Sequence, residues 1–390
     1  MTRALRWFGA ALLWLVVGLA VLATVIPAFL DRIYYRGPAT AHFDGRRFAN
    51  PDGDRTLLPT LGRMPRGFPI RFFLPDAGRA PWPDRVPVTP AHPTARPDPT
   101  VLHAWWVGHA TVLVQANGLN ILTDPIWSDT AGPFGIGPRR VAAPAIRFED
   151  LPRIDLVLVS HDHYDHLDLA TLARLWQRDH PQVITSLGND AVIAQAGVPS
   201  RASDWGQAIP VRPGVDVIVT RNHHWGSRWM SDRNRALWSS FVVRMPGGNL
   251  FFAGDTGVGD LRWADEARAF GPVRLALLPI GAFRFQPGQM AAETHVGPID
   301  ALRIWARLGR PMTLPIHWGT FRLSWEARDT PPAMLRALMA CMDEPAARFA
   351  AHRLGMDLAM PAGAPIQDAR PIDDARLVRC AARPAVTALP

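Results

Sequence analysis

From about Val101 the chain alternates short apolar runs with polar turns. The runs predict strands over Ala104–Val107, Thr111–Gln115, Asn120–Leu122, Ile154–Val159, Val215–Thr220, Leu237–Arg244, Asn249–Ala253, Leu275–Pro279 and Met312–Ile316. The tetrapeptide MPGG between the sixth and seventh of these is a hairpin signal. Helical periodicity falls over Leu167–Arg178, Asp265–Phe270, Pro298–Leu308 and Pro332–Met342. Hairpins interspersed with strand–helix units predict an α/β fold in which two sheets are covered by helices.

The N-terminal part follows a different pattern. Trp7–Leu30 is a run of 24 residues without a charge. As a helix it would be about 36 Å long, enough to cross a hydrocarbon layer of about 30 Å. Trp7 and Phe8 stand at one end, Tyr34 and Tyr35 beyond the other, where interfacial aromatics belong. The expectation is a single-pass N-terminal membrane anchor over 1–36. A cleaved signal peptide is the alternative, with an apolar core of about 7–15 residues, shorter than this run. Arginines flank both ends of the run, so the side of the membrane stays open. Residues 37–100 hold 13 of the 38 prolines and predict an extended, irregular segment, with the apolar stretch FPIRFFLP (Phe68–Pro75) inside it. Residues 101–345 read as the main domain and 346–390 as an irregular extension.

All 42 basic residues are arginine and the net charge is +8. A basic balance favours anionic partners, but no run of five or more arginines marks a nucleic-acid tract. Two cysteines, Cys341 and Cys380, lie far from the histidine clusters; they allow one disulfide without implying it.

Chemistry concentrates at the ends of the apolar runs. SHDHYDHLD follows Ile154–Val159 and places His161 and His163 on one side of an extended stretch, with Asp165 and His166 just beyond. Such a set suits two adjacent metal ions, provided distant segments complete the coordination. NHHWG offers His223 and His224, AGDTG offers Asp255, and PIHWG offers His317, each after an apolar run. Asp168 reads as a helix N-cap and Asp162 as outward-facing; Tyr164, between ligands, is ambiguous, with packing on the turn its plainest role.

These motifs together, with WWVGHATVLVQ, LTDPIWS, GPRR and LLPIGAF in order between His103 and Phe321, resemble the metallo-β-lactamase superfamily. They resemble most its branch of N-acyl-phosphatidylethanolamine-hydrolysing phospholipases D. The resemblance implies a four-layer αββα sandwich and a dinuclear zinc centre, other divalent metals being acceptable. His161, His163 and His224 would hold one ion, with His223 as runner-up. Asp165, His166 and His317 would hold the other, and Asp255 would bridge. Asp165 and Asp255 would orient the nucleophile, with His109 and Asp124 supporting the ligands. His295 would bind phosphate or protonate the leaving oxygen, although GAFRFQPGQMAAETH departs from the family order and Arg284 would replace an arginine found slightly later in relatives. Trp225, Trp229, Phe283 and Phe285 would line an apolar groove, unless they are core. The implied activity is that of a membrane-anchored phosphodiesterase on glycerophospholipids. A hydrolase of carboxylic esters, lactones or other small anions is the alternative, and a non-catalytic zinc-containing membrane scaffold a third reading.

Overall fold

A computed structural model describes residues 3–30, 32–53, 79–229, 231–285 and 294–390, without 362, 364, 366 and 369. The stretch FPIRFFLP lies outside them. Helix α1 spans Arg3–Leu30. The first sheet begins as a meander of β1 (Leu102–Gly108), β2 (Thr111–Ala116) and β3 (Leu119–Thr123). It then turns parallel: β4 (Leu156–Val159), helix α2 (Leu169–Asp179), β5 (Gln182–Ser186), helix α3 (Asn189–Ile193) and β6 (Arg201–Ser203). The second sheet is built from β7 (Ala208–Arg212), β8 (Val215–Thr220), β9 (Ser240–Arg244), β10 (Asn249–Phe252), helix α4 (Arg262–Ala269), β11 (Val273–Pro279), helix α5 (Pro298–Arg307) and β12 (Met312–Ile316). Helix α6 (Thr330–Cys341), strand β13 (Asp357–Met360) and helices α7 (Asp374–Ala381) and α8 (Pro384–Thr387) close the chain. Strand order is β13-β1-β2-β3-β4-β5-β6 in one sheet and β12-β11-β10-β9-β8-β7 in the other.

Alternation along the strands produces the layers. Val112 and Val114 face Phe241, Phe252 and Leu275 between the sheets. Their neighbour Leu113 faces the other way, onto Leu172 and Leu175 of α2. On the far side Val242, Phe251 and Leu278 pack against Trp263 of α4, Trp305 of α5 and Leu338 of α6. Three apolar layers between helix, sheet, sheet and helix are the expected αββα sandwich.

Differences from expectation have local causes. Leu237–Ser239 precede β9 because Leu237 and Ser239 donate to Leu187 and Ser160, which lie beside the first sheet, instead of pairing in the second. Strands β5, β6, β7 and β13 and the short helix α3 escape the pattern. Strand β7 carries Pro210 and lies at a sheet edge, where proline is tolerated. The tail 346–390, expected to be irregular, supplies edge strand β13 and two helices, and Cys341 and Cys380 form a disulfide tying α6 to α7. Helix α1 forms over the uncharged run, and its described side chains, including Trp7, Phe8 and Trp14, are exposed. Among the described residues, however, no helix is long and apolar enough to cross a membrane.

Candidate metal centre

The proposed ligands leave the C-terminal ends of strands from both sheets and meet at one edge of the sandwich. The chain turns sharply there. His109 after β1, Asp124 after β3 and His317 after β12 adopt φ of 53°, 32° and 62°. Such left-handed conformations in non-glycine residues cluster where a site dictates the backbone. At Gly254 (φ 61°) an added Cβ would lie 2.7 Å from the Ser160 Cβ, so only glycine lets β10 deliver Asp255 against the turn that carries His161.

Four overlapping groups of donor atoms, each gathered within 4.8 Å, result among the described residues; two of them are His161, His163 and His224, and His109, Asp165, His166 and His317, and a third joins Asp124 to His161 and His166. Asp255 stands against the second group. Its Oδ2 is 3.0 Å from His166 Nε2 and 2.9 Å from His317 Nε2. Asp255 also groups with His224 and His295, so its carboxylate reaches toward both sides.

Hydrogen bonds around the rim decide which ring nitrogens face inward. Ser160 donates its N–H and Oγ–H to Asp124 at 2.7 and 2.6 Å, leaving its oxygen to accept from His161 Nδ1 at 2.9 Å. His166 Nδ1 donates to Asp124 at 2.6 Å and His224 Nδ1 to the Thr294 carbonyl at 2.9 Å. The His317 Nδ1 faces the Gly281 carbonyl at 3.4 Å. Each ring therefore turns Nε2 toward the interior, the arrangement by which metal-binding imidazoles are oriented. His161 Nε2 meets His163 Nδ1 at 2.8 Å.

The inward atoms fit a cation. Nε2 of His166, His224 and His317 and both oxygens of Asp255 are buried without a hydrogen-bond partner. Asp255 meets His166 and His317 as ion pairs and not as hydrogen-bond partners. Buried polar atoms without partners are costly, and a metal ion satisfies them. Electrostatics divide the centre in two. Burial, reinforced by neighbouring imidazoles, holds His161, His163 and His224 well below the usual histidine range. Burial also lowers His166 and His317, but Asp255 and Asp165 outweigh it; His317 rises to about 9 and His166 well above its ordinary value. Burial raises Asp165 and Asp255, and the facing imidazoles overcome it, holding both well below the carboxylate range.

The remaining predicted residues separate. His223 turns away and meets Asp52 at 3.0 Å, so His224 alone of that pair faces the centre. His109 Nε2 contacts Asp165 at 3.0 Å, and burial depresses its pKa to about 3. His295 Nδ1 lies 3.6 Å from Asp255, and burial lowers its pKa to about 4. The Trp225 ring packs edge-on against His163, with centroids 4.1 Å apart, and Phe285 lies beside His295. Trp229 sits farther out, against exposed Phe134, whereas Phe283 packs on the helical core beside α5. Arg284 donates to the Leu389 carbonyl. Asp168 caps α2 as expected, accepting from Ala170 and Thr171. Arg228 stacks on the Tyr164 ring. Asp162 is a correction: it is fully buried, not outward-facing, because the loop around Gly226 closes over it. Burial and nearby Asp232 raise its pKa to about 7. Ser160 and the Thr294 carbonyl were missed. Ser160 had a signal, standing directly before the first histidine; a backbone carbonyl has none.

Residues 119–318, just over half the chain, match the family model of the β-lactamase superfamily domain. The chain belongs to the β-lactamase superfamily. An uncharacterized protein of Mycobacterium tuberculosis is 35% identical over 247 residues, 61% of this chain and 64% of that one. N-acyl-phosphatidylethanolamine-hydrolyzing phospholipase D 1 of Caenorhabditis elegans is 34% identical over 232 residues, 56% of this chain and 64% of that one. The matches thus span somewhat under two thirds of these relatives. The isothiocyanate hydrolase from Delia radicum gut bacteria has a similar fold, with a TM-score of 0.53 at 18% identity over 67% of this chain and 100% of that one.

Proposed function

We propose that this superfamily member is a membrane-associated dinuclear zinc hydrolase that cleaves phosphodiester bonds of glycerophospholipids, in the manner of a phospholipase D. One observation carries the reading: two histidine-rich donor sets, with the partnerless Nε2 atoms of His166, His224 and His317 turned inward, stand either side of the buried Asp255. His161, His163 and His224 would hold one ion; Asp165, His166 and His317 the other, with Asp255 between. Such a pair supplies Lewis acidity and lowers the pKa of water toward about 7. Asp255 and Asp165, held ionised, accept a hydrogen bond from the attacking water and fix its direction. Its oxygen bonds to phosphorus as the bond to the headgroup oxygen breaks, and the proton leaves with the alcohol. Burial keeps His295 neutral, so it offers one N–H to a phosphate oxygen and carries no second proton for the leaving oxygen. Trp225 and Phe285, beside the centre, supply apolar surface for an acyl chain. The exposed apolar α1 and the relatives' name support a lipid substrate.

The test combines metal analysis with substrates. The wild-type chain is expected to carry about two zinc ions and to release phosphatidic acid from N-acyl-phosphatidylethanolamine vesicles. Asp255→Asn should lose at least about 100-fold in turnover, as removal of a charge-stabilising group does. Undiminished turnover in that variant, or cleavage of carboxylic esters alone, would sink the proposal.

A further inference from the structure

Residues 42–53 lie outside the region matched by the family and contribute no proposed ligand, yet they grip the loop that delivers His224. Phe43 and Phe48 pack on Leu237 and Trp238. Phe48 N–H donates to the Asn234 carbonyl at 2.8 Å, and the Asn234 amide returns a bond to the Phe48 carbonyl at 3.1 Å. Arg47 reaches the Ser231 carbonyl and Arg235 the Arg46 carbonyl, at 2.9 and 2.8 Å. The decisive residue is Asn50, which is only 5% exposed. Its amide donates to the His224 carbonyl at 2.8 Å, and its oxygen accepts from the Trp238 indole at 3.0 Å. Two residues later Asp52 accepts from the Asp260 N–H at 2.7 Å and meets His223 Nδ1 at 3.0 Å. One strap therefore holds the main chain of His224 and the side chain of its neighbour.

We infer that the 42–53 strap is a working part of the metal centre, and that Asn50 is a positioning residue for His224. The inference rests on the metal-centre reading above. Two contacts fix this ligand on its irregular loop, one to its ring and one to its own carbonyl. The Thr294 carbonyl fixes the ring of His224, and Asn50 fixes its carbonyl. Metal sites need their ligands placed within about 0.5 Å, and loops achieve this only with such support. His161, His163 and His166 sit on the short turn between β4 and α2; His224 depends on a segment more than 170 residues earlier in sequence.

The experiment uses the full chain loaded with cobalt(II) or zinc. Asn50→Leu removes both hydrogen bonds, and Asn50→Asp keeps the acceptor for Trp238 but loses the donor to His224. Leu338→Ala, in the core beneath α6, is the control for general destabilisation. Chelator competition should show both Asn50 variants losing affinity for one of two ions by about 10–100-fold, with the other ion retained. The visible cobalt spectrum should change with it. Leu338→Ala should lower the melting temperature but leave both affinities and the spectrum as in wild type. Asn50→Asp carries the test if Asn50→Leu fails to fold. Wild-type affinity and spectrum in the Asn50 variants would overturn the strap while sparing the centre; a wild-type chain that takes up no metal would overturn both.

Discussion

Asp124 shows how much one buried carboxylate organises. It takes the Ser160 N–H and Oγ–H and the His166 Nδ1, so it sets the orientation of His166 directly and that of His161 through Ser160. Burial raises its pKa, and the bonds from His166 and Ser160 oppose the rise. Asp124→Asn preserves the shape but turns an acceptor oxygen into a donor, against a ring that must itself donate. The variant should bind metal about 10–100-fold more weakly, measured by competition with a chromophoric chelator. Unaltered affinity would show that these rings are oriented by packing alone. At this scale the sequence was informative wherever a side chain carries the chemistry. His109 and Asp124 stood in recognisable motifs. Asp162 was misjudged because strict alternation fails once the chain leaves β4 and the loop around Gly226 covers the turn.

The strands that carry ligands were the readable ones: β4, β8, β10 and β12 are apolar runs buried throughout or nearly so, each followed by polar residues. What escaped were the edges. Strands β6 and β13 have three and four residues, too few for a period of two to stand out. The tail also hides its role because its anchorage is long-range: α7 is held to α6 by the disulfide between Cys341 and Cys380, separated by 39 residues. Closing a loop of that size removes about 4 kcal/mol of unfolded-state entropy in the chain-entropy description. The double variant Cys341→Ser, Cys380→Ser should therefore lose about 2–4 kcal/mol in denaturant unfolding, while metal content stays unchanged because both residues lie outside the ligand set. Loss of metal in that variant would mean that the helical layer supports the centre more closely than the layers suggest.

Across the whole molecule, both sheets contribute to each half of the centre, and pH distinguishes the two halves. In the metal-free chain His161, His163 and His224 lie below the ordinary histidine pKa and are already neutral at pH 7. His166 and His317 are raised by the carboxylates beside them, His317 to about 9. Metal entering the second set must displace a proton from each ring; entry into the first need not. Affinity on the Asp165 side should thus climb between pH 6.5 and 9, while on the His224 side it stays level. Folding stability of the metal-free chain runs the opposite way with pH. A histidine raised above its unfolded value of about 6.5 stabilises the metal-free chain fully below that pH, and the contribution disappears as pH rises through about 9. Loaded protein, whose imidazoles hold metal and not protons, escapes this loss. The gap in melting temperature between loaded and chelator-stripped protein should therefore widen from pH 6.5 to pH 9, read by calorimetry at fixed free metal. A constant gap would mean that His166 and His317 are neutral in the stripped chain, and that the charges of Asp165 and Asp255 do not hold protons on them.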